Sequence, residues 1–235
     1  MLKKTIMLTT MIMLSSFSFA DVNTVKQNLA KNYPSWEIKN IQSTEMKGIY
    51  SAELEGQVIY LNDDAQHIIA GSMYRLADQK NLTRDLSLKM NMVDWKKLPL
   101  NDALKTVRGT GARQLAIFSD PNCPYCKQLE VELKKLDNVT IYTFILPFKA
   151  QSIAPSKQVF CEANPVLAWE NLIGKGIQPS SKKACNNPIE RNLALAKSLK
   201  INGTPNIIFS NGLNMPGAYP AEELEKILQN IANEK

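Results

Sequence analysis

Histidine is almost absent from this sequence: His67 is the only one in 235 residues. Paired-imidazole zinc sites, and any reaction that needs two imidazoles, are thereby excluded. Charge is sparse too, at 21% of residues, while 44% are hydrophobic, so the chain has the apolar content for a folded core and is not a disordered one. Glycine (10) and proline (12) are too few for low complexity. Long apolar runs are missing beyond residue 20, where no stretch nears the roughly 18 residues of a membrane span. No stable membrane insertion is expected. Cysteine is missing from the whole first half. Cys123, Cys126, Cys161 and Cys185 all follow residue 120, so the first half must hold together by its core alone, which hints at two units. No cofactor and no metal are expected, and whatever chemistry the chain performs rests on those four thiols.

The first 20 residues, MLKKTIMLTTMIMLSSFSFA, have the layout of a secretory leader. Lys3 and Lys4 precede an Ile/Met/Leu run from Thr5 to Leu14, and Ser18 and Ala20 stand at −3 and −1 of a cleavage point before Asp21. The run is too short for a membrane anchor, and no cysteine follows the cleavage point to carry a lipid. Without the leader the balance is 26 basic to 22 acidic residues, a net of +4. That is too mild to suggest nucleic acid as a partner. Export also changes what the cysteines mean, since disulfides form and persist outside the cytosol.

Along the mature chain, Val22, Val25, Leu29 and Tyr33 share a helical face that Pro34 ends. Residues 36–76 change period: Tyr50, Ala52 and Leu54 alternate with Ser51, Glu53 and Glu55, and apolar runs at 58–61 and 67–70 flank the turn-forming Asn62-Asp63-Asp64. A small antiparallel sheet with one helix is expected over 21–79, a unit so small that an exposed strand edge would favour dimerisation. Leu82, Leu86, Met90 and Val93 recur at helical spacing as far as Pro99. Leu100, Ala103, Leu104 and Val107 suggest a second short helix ending near Gly109, so 80–108 reads as linker helices. The remainder, 109–235, reads strand (115–118), helix from about Cys123, strand (139–146), a helical stretch at 155–173 carrying Cys161, and a helix at 188–199. A strand at 206–210, the turn Asn211-Gly212 and a final helix at 221–231 follow. The fold class expected is α+β / α/β, with a helical insert in the second unit.

Cys123-Pro124-Tyr125-Cys126 sits where a strand gives way to a helix. The free N–H groups and positive dipole end of a helix start favour a thiolate on the first cysteine. Cys123 is then expected as the exposed nucleophile that attacks a substrate disulfide, and Cys126, one turn on and more buried, resolves the mixed disulfide. A zinc half-site would need a second close cysteine pair, yet Cys161 and Cys185 are 24 apart. An inert structural disulfide fits a strand-to-helix C-x-x-C poorly. Cys161 and Cys185 are left to pair with each other; a structural bond is favoured, with a second redox pair as the alternative. Thr204-Pro205, entering the 206–210 strand, reads by itself as an ordinary trans edge proline.

Phe118 to Cys126 (FSDPNCPYC) and Gly203-Thr204-Pro205 resemble the thioredoxin-fold domain of the periplasmic disulfide isomerases, the DsbC/DsbG family. The run from Tyr60 to Asp64, then His67-Ile68-Ile69-Ala70-Gly71 with Tyr74 beyond, is similar to the family's small cystatin-like dimerisation domain. The resemblance covers nearly the whole mature chain and lies closest to the DsbC type. It implies a periplasmic homodimer paired through the strand at His67–Gly71, with a helical linker and a C-terminal thioredoxin-like catalytic domain. It implies Cys123 and Cys126 as the redox pair with Pro124, Tyr125, Thr204 and Pro205 as its support, a cis Thr204–Pro205 bond, and Cys161–Cys185 as a structural disulfide. Implied partners are misoxidised or unfolded secreted proteins, bound with chaperone activity, and a DsbD-type membrane reductase that keeps the dithiol reduced. Pro124 departs from the Gly usual in the DsbC type and matches the DsbG type. Two alternatives to the isomerase therefore stand: a DsbG-like reductase of sulfenylated single cysteines, and a dimeric holdase with a secondary redox role.

Overall fold

The structure is a computed structural model that describes residues 21–181 and 184–233; the expected leader, 1–20, lies outside the described residues. The chain divides after Ser87 into two compact units. Together they give the mixed α+β architecture expected, a small helix-and-sheet unit followed by a larger sheet layered with helices that carries a helical insert.

In the first unit, α1 (Val22–Asn32) starts at Asp21, whose carboxylate caps the Thr24 N–H at 2.8 Å. Val25 and Leu29 turn inward and are buried. They pack on an antiparallel sheet of β1 (Ile38–Ser43), β2 (Ile49–Leu54), β3 (Gln57–Asn62) and β4 (Ile68–Ile69), in that spatial order. Ile41, Tyr50, Ala52, Ile59 and Leu61 complete that core, which contains no cysteine. The short β4 pairs with β3 and forms one edge of the sheet, and every residue from Gln66 to Ser72 is exposed. A ribbon of β5 (Tyr74–Arg75) and β6 (Lys80–Asn81) leads into α2 (Leu82–Met90).

The linker stretch is less helical than its periodicity predicts. Past α2 the Val93 N–H donates to the Gly212 carbonyl at 2.8 Å, which draws the chain out of the helix, and Asp94 caps only a 3-10 turn at Trp95–Lys97. The expected helix over Leu100–Val107 is a 3-10 turn at Leu100–Asp102 followed by a strand, β7 (Leu104–Arg108). Pairing with β9 (Val139–Ile145) overrides the helical spacing: Leu104 is buried while Val107 is 53% exposed, the inside–outside alternation of an edge strand. Gly111 then makes the turn into β8 (Arg113–Ser119). Its φ is +67°, and a Cβ there would lie 2.8 Å from Thr140 Oγ1 and from Val107 Cγ1.

The second unit is a five-stranded sheet ordered β11-β10-β8-β9-β7, with β10 (Asn206–Phe209) and β11 (Asn214–Pro216) as its hairpin. Only β8 and β9 run parallel, and their side chains alternate between two buried faces. Leu115 and Ile117 face a core with α3 (Pro124–Leu133) and α7 (Ala221–Asn233). Ala116 and Phe118 face the α6 side (Ile189–Ser198), where Phe118 stacks on Phe144 at 4.9 Å. The helical insert holds two helices rather than one continuous stretch over 155–173: α4 (Ala150–Val159) and α5 (Pro165–Lys175). Asn164 caps α5 through the Leu167 N–H at 3.1 Å, and Pro165 takes its first position. Cys161 therefore lies in the break between them.

Candidate active site

Strand β8 is buried and apolar from Leu115 to Phe118, ends in the polar Ser119 and is followed by Asp120. Asp120 to Asn122 turn the chain, and Cys123 becomes the N-cap of α3 in extended conformation (φ −85°, ψ 122°). Pro124 fills the first helical position, where no N–H is needed. The helix turn then carries Cys126 inward. Cys123 is not the exposed thiol expected, because the helical insert packs over it: it is 8% exposed and Cys126 fully buried, while Tyr125 between them is 64% exposed. Both cysteines belong to the core that Trp169, Leu172 and Ile173 of α5 share with Val159 and Ile145. The insert is thus what closes over the pair. Beneath it, Trp169 Nε1 donates to Glu130 on α3 at 3.1 Å, and burial pushes that carboxyl up.

The two sulfurs are electrostatically unlike. Burial pushes the Cys123 thiol up, but the backbone N–H groups of Cys126 and Tyr125, together with the Thr204 and Cys126 side chains, outweigh it and hold the thiol below its ordinary value. These are the unpaired donors of a helix start. As a thiol, Cys123 Sγ donates to the Thr204 carbonyl oxygen at 3.2 Å. Burial pushes Cys126 up to about 12, against weaker opposing bonds from the Ser119 side chain and the Asp120 N–H, the latter at 3.4 Å. Both are free thiols.

Thr204, 81 residues from Cys123 in sequence, is brought against it by β10, which follows Pro205 and pairs with β8 so that Asn206 faces Phe118. The Thr204–Pro205 bond is cis, not the trans bond that the tripeptide alone suggests. Cys161 and Cys185 form a disulfide, S–S 2.05 Å, with Cα atoms 5.6 Å apart. Glu162 beside it accepts the N–H groups of Ser180 and Ser181 and so ties the same loop to the insert. His67, Ile68, Ile69, Ala70 and Gly71 lie in the other unit, on and beside β4. Among the described residues nothing comes within 4 Å of a Cβ added at Gly71, so no contact among them demands glycine there. Among the described residues no cluster of His, Cys, Asp or Glu could hold a metal ion, and no helix is long and apolar enough to cross a membrane.

Sequence reasoning missed the polar cluster behind the pair: Asp120, Asn122, Lys149 and Ser152. Its one sequence signal is a carboxylate closing an apolar strand next to the C-x-x-C.

Comparison with known proteins decides the lineage. The thioredoxin-like domain family matches residues 100–232, more than half the chain. The chain belongs to that family. The disulfide bond isomerase protein N-terminal domain matches residues 16–84. A probable thiol:disulfide interchange protein DsbC from Bordetella parapertussis is 35% identical over 169 residues, 72% of this chain. The chain spans only 60% of that relative's length. The thiol:disulfide interchange protein DsbC of Escherichia coli is 28% identical and aligns over 97% of this chain and 96% of its own. A crystal structure of a disulfide interchange protein from Neisseria gonorrhoeae superposes with a TM-score of 0.54 at 34% identity, covering 57% of this chain and 97% of that one.

Proposed function

We propose that this protein is a periplasmic thiol:disulfide isomerase and reductase of misoxidised exported proteins. The observation that carries the reading is the contrast between the two sulfurs: Cys123 at the helix mouth with its thiol pulled down, Cys126 buried with its thiol pushed up. The Cys123 thiolate attacks a client disulfide, bonding to one sulfur and releasing the other as a thiolate. The released client thiolate then attacks elsewhere in the client until a native bond forms and Cys123 leaves unchanged, which is isomerisation. If instead Cys126 gives up its proton and attacks Cys123 Sγ, the client departs reduced and the pair is oxidised. A membrane reductase of the DsbD type then restores the dithiol. Tyr125, Thr204 and the cis Pro205 flank the nucleophile and receive the client chain.

The exposed β4 edge supports homodimerisation through His67 to Gly71, with residues 21–79 as the dimerising domain and 1–20 as a cleaved leader. Holding two redox sites together in this way favours isomerisation and chaperone binding over single exchanges. A reductase of sulfenylated single cysteines is the second reading, favoured by Pro124 alone.

Capture of mixed disulfides on Cys126→Ser tests both. Clients with several cysteines support the isomerase and single-cysteine clients the reductase. Failure to capture any protein, with Cys123 no more reactive than an ordinary thiol, overturns the assignment.

A further inference from the structure

Asp120 is a carboxylate only 1% exposed, and the exchange chemistry above gives it no task. Burying a carboxylate is expensive unless hydrogen bonds replace its water. Here three neutral donors do so: the Asn122 N–H at 2.7 Å and the Ser152 hydroxyl at 2.6 Å on Oδ1, and the Lys149 N–H at 3.2 Å on Oδ2. Asn122 is tied in twice more, its Nδ2 donating to Ser152 Oγ at 3.0 Å and its carbonyl accepting Lys149 Nζ at 2.8 Å. The backbone of Asp120 faces the opposite way and touches both cysteines. Its carbonyl accepts the Cys123 N–H at 3.1 Å and its N–H donates to Cys126 Sγ at 3.4 Å.

We propose that Asp120 is a positioning residue for disulfide exchange: its carboxylate clamps the 120–122 turn to the start of α4 and so keeps the α3 N-terminus aimed at the Cys123 sulfur. The inference rests on Cys123 being the nucleophile. Packing alone does not require a carboxylate, since a neutral residue fills the space without the desolvation cost. What the anion adds is acceptor capacity on both oxygens, which fixes three donors from two elements at once. An amide offers one acceptor and one donor, so an asparagine at 120 confronts either the Lys149 N–H or the pair on Oδ1 with a second donor.

Position and charge act on the nucleophile with opposite signs. A buried anion near a thiolate opposes its ionisation, so if Asp120 acted through charge, neutralising it would lower the pH at which Cys123 ionises. If it acts through position, loosening the turn withdraws the Tyr125 and Cys126 N–H groups and the ionisation moves up. The experiment is the pH dependence of Cys123 alkylation in the full-length reduced Cys126→Ser protein, with and without Asp120→Asn or Ser152→Ala. Thermal unfolding identifies the variants that fold. Asp120→Asn should raise the alkylation midpoint by about one pH unit, which is about tenfold less thiolate at lower pH. Ser152→Ala, which removes one hydroxyl of the clamp and no charge, should raise it by less, and the double variant by no more than Asp120→Asn alone. A midpoint that stays or falls in Asp120→Asn overturns the proposal, and Ser152→Ala decides in the same way if Asp120→Asn does not fold. A parent whose Cys123 titrates like an ordinary thiol overturns instead the assignment of the nucleophile, whatever the variants do.

Discussion

The four residues Cys123 to Cys126 contain most of what the chemistry needs, and they are legible because they are contiguous. Two thiols one helical turn apart at a helix start stand differently towards its free N–H groups, although here both are buried, Cys123 at 8% exposure and Cys126 completely. What lies behind them was not legible, because Lys149 and Ser152, 29 and 32 positions from Asp120, reach it only through the fold. The same holds for Thr204, whose carbonyl touches a sulfur 81 residues distant. The buried Cys126 thiol gives a pH prediction for the reduced protein. It stays protonated when folded at pH values where the unfolded chain has ionised, so its share of stability is intact below about 9 and lost as pH rises towards about 12. Cys123 has the opposite sign: its contribution is lost as pH falls through its depressed value and complete above the ordinary one. Above pH 9 only the Cys126 loss remains. Urea unfolding between pH 9 and 10.5 should therefore show a falling midpoint for the reduced parent and a flatter one for Cys126→Ala. Equal slopes would remove the burial of Cys126 from the account.

At the scale of elements, runs with one clear period read correctly and the edge strand β7 did not. Strand β8 and helix α7 bury one continuous pattern each, and their residues leave no second choice. Residues 100–107 fit both periods, since positions 104 and 107 suit a helix face while 104, 106 and 108 suit a strand face; the pairing with β9 decides between them. The break at 160–164 was missed because apolar residues continue through it, although Asn164-Pro165 is a helix-start signal in its own right. That break is where Cys161 meets Cys185. A bond closing this 24-residue separation is worth roughly 3.5 kcal/mol in the chain-entropy model. The Cys161→Ser/Cys185→Ser variant should lose about that much stability in urea titration and still alkylate at Cys123. Unchanged stability would show that Glu162 and the insert core already fix the loop.

For the whole molecule, the sequence pattern told apart a cysteine-free unit and a cysteine-bearing one, and the chain does divide into two, after Ser87. The expected edge is open: Ile68 and Ile69 are 40% and 57% exposed, in a chain whose other strands bury most of their isoleucines. A charge on that edge opposes strand pairing. Ile69→Asp should halve the mass seen by sedimentation and lower the yield of correctly paired multi-disulfide client several-fold. Its rate with a small disulfide such as a glutathione dimer should not change. A variant that remains dimeric would move the interface elsewhere. The absence of cysteine from residues 21–87 has a consequence of its own. Glutathione adducts, peroxide over-oxidation and stray cross-links have no thiol to land on there, so a dimer joined through this unit, as proposed, is blind to the redox weather around it. In such a dimer, however often the working sulfurs are spent and regenerated, the two subunits need never come apart.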